Sequence, residues 1–128
     1  MARKATAVTV LERFLTALNE QDLELLLTCF HPEYRSEQPV HPERGFQGRA
    51  RVAENWGWVF DRFDEFHAEV FDAITRDDQL WTEWRWVGID ENDDHVEVRG
   101  VMIFRLQDEQ FVSGRLYMEP VDAHERDR

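Results

Sequence analysis

The sequence predicts an α+β domain in which three N-terminal helices pack on a curved, mostly antiparallel sheet. Apolar residues recur at helical spacing in the first half of the chain, and after Asp64 the pattern changes to the alternation that is typical of strands. The intervals between the alternating segments are short and polar, as hairpin turns require. Such an order places the core, and any pocket, between the helices and the sheet.

Two helices are expected first. Apolar residues four or three positions apart predict a helix from Ala5 to Leu18 with one buried stripe. Asp22 is a suitable N-cap for a shorter second helix, which we expect to end at His31-Pro32 because proline disfavours helix in the residue before it.

The third helix and the strands follow. A short strand over Tyr34–Gln38 leads into a loop rich in proline and glycine, and a third helix opens at Gly48 with Val52 and Trp56 on its inner side. Alternation then predicts an antiparallel meander of four strands. These strands are Phe66–Ile74, Leu80–Ile89, His95–Leu106 and Phe111–Pro120.

Length and charge restrict the function. The 128 residues fit a single domain, with a core over about residues 8–121 and a charged tail over 122–128. A net charge of −12 argues against binding to nucleic acid, which requires clustered Lys and Arg, and against anionic membrane surfaces. No apolar run is long enough to span a bilayer, and the N-terminus lacks the pattern of a signal peptide.

The cysteine and the histidines carry no evident chemistry. Cys29 is the single cysteine, which excludes an intramolecular disulfide and favours a reducing, cytoplasmic location. Its apolar neighbours on the second predicted helix indicate a buried thiol. The five histidines show no spacing typical of metal ligands, so we expect neither a metal nor a cofactor.

Five short motifs, in this order of elements, resemble the nuclear transport factor 2-like superfamily and its SnoaL-like branch. The resemblance implies a cone-shaped α+β barrel over residues 8–121. It implies no single activity, because the superfamily includes isomerases, cyclases, epoxide hydrolases, dehydratases and binding proteins. The motifs are Leu18-Asn19-Glu20-Gln21-Asp22-Leu23, Phe30-His31-Pro32-Glu33, Gln38-Pro39-Val40, Phe46-Gln47-Gly48 and Val101-Met102-Ile103-Phe104-Arg105.

The resemblance also shows which catalytic groups this chain lacks. Where ketosteroid isomerases carry Tyr and two Asp residues, it has Phe14, Gln38 and Met102, which cannot exchange protons. Where epoxide hydrolases of the limonene type keep an Asp on the last strand, it has Leu116. Arg35 and Glu37 stand where those hydrolases hold the attacking water with Tyr and Asn.

Alternation along the last three strands separates an apolar, aromatic face from a charged face. Because Met102 and Leu116 stand where relatives keep catalytic carboxylates, we expect the apolar face to line a pocket. The expected pocket residues are Phe14, Tyr34, Gln38, Trp56, Trp84, Trp86, Met102, Phe104, Leu116 and Met118.

The charged face suggests an interface between two copies of the chain. We expect a homodimer through this outer face, in which Arg115 pairs with Glu83 or Glu119. In a competing hypothesis the register is inverted, and Glu83, Arg85, Arg115 and Glu119 form an acid/base centre inside the pocket. The expected interface residues are Trp81, Glu83, Arg85, Arg99, Arg115, Tyr117 and Glu119.

These patterns predict a domain that binds an apolar small molecule in an aromatic pocket. The alternative is a cofactor-independent acid/base enzyme of the polyketide cyclase, isomerase or epoxide hydrolase kind, using a set such as Tyr34, Glu37 or Glu119. A third hypothesis, a protein-interaction module, requires a large exposed apolar patch beyond the dimer surface.

Overall fold

A computed structural model describes residues 2–122 of the chain, with the side chains of residues 6–122. This part of the chain has three α-helices and a curved, unclosed sheet of six strands, which confirms the predicted mixed α+β class. No helix among these residues is long and apolar enough to cross a membrane. Most of the charged tail, residues 123–128, lies outside the described residues.

The helices are α1 (Ala2–Glu20), α2 (Leu23–Leu27) and α3 (Arg49–Arg62). The N-cap prediction is confirmed, because Oδ1 of Asp22 accepts a hydrogen bond from the Leu25 amide at 3.0 Å. The predicted end of the second helix is wrong. The helix stops at Leu27, and Cys29 lies in the turn that leads into the first strand.

The strands are β1 (Phe30–Glu37), β2 (Phe46–Gln47), β3 (Asp64–Arg76), β4 (Gln79–Ile89), β5 (His95–Gln107) and β6 (Gln110–Pro120). The four strands of the predicted meander agree with β3 to β6 to within two residues at each end. The first strand starts four residues earlier than predicted. The segment after it holds a 3₁₀ turn, Pro42–Arg44, and the short strand β2, neither of which was predicted from the sequence.

The sheet order is β2-β1-β6-β5-β4-β3. Strands β3 to β6 form the antiparallel meander, whereas β1 joins it parallel to β6, with Arg35 opposite Ser113 and Glu37 opposite Arg115. This pairing brings the inner side of β1 next to the inner side of β6. The wall that faces the helices is therefore built from both ends of the chain.

The core lies between the helices and the inner face of the sheet. Trp84 on β4 is fully buried, and Met102 and Phe104 on β5 are almost fully buried. Glu83 and Glu119 are exposed and lie on the opposite face of the sheet. The inverted register, with Glu83, Arg85, Arg115 and Glu119 inside, is therefore wrong.

The hydroxyl of Thr82 forms a small buried hydrogen-bond network on the inner face of the sheet. Thr82 donates a hydrogen bond to the carbonyl of Met102 at 2.7 Å and accepts one from the indole Nε1 of Trp84 at 2.6 Å. Every polar atom in this small network has a partner, as buried polar groups require. The network holds the Trp84 ring within the core.

Candidate ligand site

A cavity of about 350 Å³ lies between α3 and the inner face of the sheet. Cavities of roughly 300–1,000 Å³ with mostly apolar walls are typical of small-molecule sites. Residues from α1, the β1–β2 segment, α3, β4, β5 and β6 line it. They are Phe14, Phe30, Tyr34, Ser36, Gln38, Phe46, Val52, Asn55, Trp56, Trp58, Val59, Trp86, Met102, Phe104 and Leu116.

None of the fifteen lining residues is acidic or basic. The polar side chains form a row along β1 and the residue after it, where Tyr34, Ser36 and Gln38 alternate with the exposed Arg35 and Glu37. Asn55 on α3 adds an amide. Hydroxyl and amide groups donate and accept hydrogen bonds without carrying charge. The site can therefore hold a neutral polar group at one edge of an apolar space.

The hydroxyls of Tyr34 and Ser36 form a buried pair. Burial raises the pKa of Tyr34 above its usual value, and the neighbouring Ser36 side chain only partly opposes this effect. Tyr34 is therefore neutral at physiological pH. Its hydroxyl packs tightly against β6, and a Cβ atom added at Gly114 would clash with the Tyr34 oxygen.

Phe14 joins α1 to the aromatic walls. Its ring makes edge-on contacts with five other rings, at centroid distances between 5.5 and 6.3 Å, a geometry that aromatic pairs favour. Close packing of this kind keeps these six rings in one arrangement. The partner rings are those of Phe30, Trp56, Trp84, Phe104 and Phe111.

Eight of the ten expected pocket residues lie in the wall of this cavity, and Trp84 and Met118 do not. Trp84 is turned into the core by its hydrogen bond to Thr82, and Met118 packs in the core cluster. The expected pocket therefore reaches too far along the sheet. The eight residues are Phe14, Tyr34, Gln38, Trp56, Trp86, Met102, Phe104 and Leu116.

Seven lining residues were not predicted from the sequence. Two signals could have found some of them: Ser36 lies between Tyr34 and Gln38 at strand period, and Val59 shares the helical stripe of Trp56. Val52 lies on the same inner side of the helix, four residues before Trp56. The contacts of Phe30 on β1, Phe46 on β2, and Asn55 and Trp58 on α3 with the cavity are set only by the fold. The seven are Phe30, Ser36, Phe46, Val52, Asn55, Trp58 and Val59.

The carboxylates considered for catalysis lie outside the cavity. Glu37 is exposed and lies near the Arg35 guanidinium, with 3.8 Å between Nε and Oε1. An oxygen of Glu119 lies 2.6 Å from Nε2 of His41 on the loop after β1. Neither residue lines the cavity, so Tyr34 is the one member of the proposed catalytic set that reaches it.

Metal and thiol chemistry have little support in the described part of the chain. No group of three or more His, Cys, Asp or Glu side chains among these residues could hold a metal ion. Cys29 is buried, and burial raises the pKa of its thiol to about 11. The thiol is therefore protonated at neutral pH and is a poor nucleophile.

The sequence matches the model of a known protein family. The family model described as a SnoaL-like domain matches residues 11–114, most of the chain. The chain belongs to the SnoaL-like family. The resemblance inferred from the sequence motifs is thereby confirmed. No curated protein matches the sequence of this SnoaL-like domain.

Solved structures share the fold at low sequence identity. An LEH-like epoxide hydrolase from Mycobacterium tuberculosis has a TM-score of 0.77 at 18% identity, covering 90% of this chain and 84% of its own. AclR from Streptomyces galilaeus has a TM-score of 0.80 at 13% identity, with coverage of 95% and 84%. RV0760c from Mycobacterium tuberculosis, solved with estradiol-17beta-hemisuccinate, has a TM-score of 0.76 at 15% identity, with coverage of 88% and 90%. These likenesses establish the fold alone.

Proposed function

We propose that this SnoaL-like domain binds a neutral, largely apolar small molecule in the cavity between α3 and the sheet. The absence of any charged side chain among the lining residues carries the proposal. An ionised ligand would lose its hydration without gaining a partner of opposite charge, which is costly in an apolar space. A neutral ring system would instead gain from contact with the aromatic walls.

The polar row on β1 sets the orientation of the ligand. Tyr34, Ser36 and Gln38 offer both donors and acceptors, so a carbonyl or hydroxyl group of the ligand faces β1 while its apolar body lies against Trp56 and Trp86. In this proposal the three helices and the curved sheet form the cone expected for the fold, with the cavity inside it.

Binding without catalysis is the favoured role. Acid/base catalysis needs a group whose pKa lies near the working pH, within reach of the substrate. Tyr34 is the one ionisable side chain among the lining residues, and its raised pKa keeps it protonated. An acid/base enzyme of the cyclase, isomerase or epoxide hydrolase kind is the second candidate, in which Tyr34 would act as a hydrogen-bond donor to a developing oxyanion.

A pair of fluorescent dyes tests the binding proposal. We expect the neutral 6-acetyl-2-(dimethylamino)naphthalene to bind the full chain with a blue-shifted emission, and the anionic 1-anilinonaphthalene-8-sulfonate to bind at least tenfold more weakly. The reason is the uncharged wall of the cavity, reinforced by the net charge of −12. Titration of each dye, followed by its emission, measures the two affinities.

Two neighbouring residues on β6 provide the matched variants. Leu116→Trp fills the cavity and is expected to weaken binding of the neutral dye at least tenfold, whereas Tyr117→Trp, on the opposite face, leaves it unchanged. Tighter binding of the anionic dye, or equal effects of the two variants, would show that the dye binds elsewhere and contradict the proposal.

We also propose that two copies associate through the outer face of the sheet. Trp81 is 42% exposed and Tyr117 is 37% exposed on this face. Arg85 and Arg99 are already paired with Glu97 within the chain, at 2.9 and 2.6 Å. Within residues 6–122, neither Glu83 nor Arg115 forms an ion pair, which leaves opposite charges available to a second copy.

Charge reversal tests this interface. Arg115→Glu is expected to weaken dimerisation at least tenfold, because like charges then meet across the two-fold axis, and the double variant Arg115→Glu with Glu83→Arg restores it. Sedimentation velocity over a range of concentrations measures the dimer constant. Glu12→Arg, on exposed α1 surface, is the control. A monomeric wild-type chain would exclude the interface.

The single-domain organisation over residues 1–128 and the cytoplasmic location stay predictions. Both rest on the sequence alone, through the length of the chain and its single cysteine.

A further inference from the structure

A second, smaller cavity of about 160 Å³ lies beside the candidate ligand site, between the C-terminal half of α3 and the sheet. Eight apolar side chains and Gly88 line it. Engineered apolar cavities of about 150 Å³ take up benzene, so a space of this size and lining suits a hydrocarbon group of about six carbons. Apart from the indole N–H groups of its two tryptophans, its lining side chains are hydrocarbon.

Three residues line both cavities: Trp56 and Val59 on α3, and Trp86 on β4. A side chain that contacts both spaces forms the wall between them. The rings of Trp56 and Trp86 meet edge-on in this wall, with 5.3 Å between their centroids. The smaller cavity is therefore one aromatic layer away from the site proposed for the ligand.

No hydrogen bond holds the indole of Trp86 in place in this wall. The indole Nε1 of Trp86 is buried and has no acceptor, in contrast to Nε1 of Trp84, which is bound to Thr82. Turning the Trp86 ring aside breaks no hydrogen bond of its indole. Packing alone opposes the movement, and a hydrocarbon group that enters the gap replaces that packing.

We propose that the smaller cavity is a second subsite of the ligand site, which takes a short aliphatic chain attached to the ring system held in the larger cavity. This inference rests on the function proposed above. The Trp86 ring turns aside to admit the chain, and Val96 and Val98 contact it. The natural ligand is thus a neutral molecule with a flat body and an alkyl or acyl branch.

An acyl series of one dye tests the subsite. The acetyl and hexanoyl forms of 6-acyl-2-(dimethylamino)naphthalene differ by four methylenes, and each methylene buried in apolar surroundings raises affinity about fourfold. We expect the full wild-type chain to bind the hexanoyl form at least tenfold more tightly than the acetyl form. The Val98→Phe variant fills the smaller cavity. It is expected to bind the hexanoyl form no more tightly than the acetyl form, and its affinity for the acetyl form is expected to stay within twofold of the wild-type value.

The controls separate the subsite from general hydrophobicity. Val101→Phe adds the same bulk on the opposite face of β5 and is expected to keep the gain. If Val98→Phe does not fold, Val96→Phe fills the same cavity from a neighbouring position. A gain that is absent in wild type, or that survives in the filled variants, overturns the subsite and leaves the proposed function intact. If the acetyl form fails to bind, the proposed function itself is wrong.

Discussion

Replacement of Phe14 by alanine is expected to lower the free energy of unfolding by about 3–5 kcal/mol, which is the usual cost of removing a fully buried phenylalanine. Phe14 is 1% exposed and touches five other aromatic rings from α1, so its loss leaves a void at the junction of helices and sheet. Domains of this size have total stabilities of roughly 5–15 kcal/mol. The variant therefore loses a large part of its stability, and guanidinium denaturation followed by circular dichroism measures the loss.

Two variants of α1 calibrate this result. Phe14→Leu keeps most of the buried volume and is expected to lose less than half as much stability as Phe14→Ala. Val8→Ala, at a position that is 44% exposed on the same helix, is expected to change stability by less than about 0.5 kcal/mol. A loss for Phe14→Ala no greater than that for Val8→Ala would show that the ring cluster does not hold α1 in place.

The meander could be predicted because its signals are local. Buried and exposed side chains alternate from Phe66 to Ala68 on β3 and from Leu80 to Trp84 on β4, and each turn of the meander is polar. In those turns Asp77, Asp93 and Asp108 adopt positive φ, a conformation that aspartate accepts more readily than most residues. The alternation of side chains and the residues in the turns therefore locate each of these strands from a few neighbouring positions in the sequence.

The first strand was mislocated because an apolar run does not distinguish a helix from a buried strand. Leu23 to Phe30 is almost continuously apolar, and the structure divides it at Thr28, where the helix ends and the chain turns. The parallel pairing of β1 with β6 joins residues about eighty positions apart. No local pattern encodes such a contact.

The candidate site was predictable where it lies on regular strands. Trp86, Met102 and Leu116 were found because alternation places them on the inner face of adjacent strands. Trp84 shares that face but does not line the cavity, because the hydroxyl of Thr82 directs its ring into the core. Which residues of one face border a cavity depends on packing, and alternation alone does not decide it.

Replacement of Gly100 by alanine is expected to lower the free energy of unfolding by about 2–6 kcal/mol, at least as much as many core truncations. A Cβ atom at this position would clash with the carbonyl oxygen of Tyr117 and would lie 2.8 Å from its carbonyl carbon, both backbone atoms of β6. Backbone atoms cannot rotate away, so β5 and β6 must separate. The φ of +155° adds strain for any residue with a Cβ, and overpacking and backbone strain each cost roughly 1–3 kcal/mol.

Replacement of a glycine by alanine on α3 is expected to have the opposite effect on stability. Gly57 lies inside the helix, and its added Cβ would meet only Cδ2 of Leu23 at 3.8 Å, an ordinary contact. Gly57→Ala is therefore expected to stabilise the chain by up to about 1 kcal/mol, through the higher helix propensity of alanine. Thermal and guanidinium denaturation of the two variants compare them directly. Equal effects would contradict the close approach of β5 to β6 at Gly100. Opposite signs would show that one substitution reports on backbone contact in the sheet and the other on helix propensity, because both add the same single methyl group.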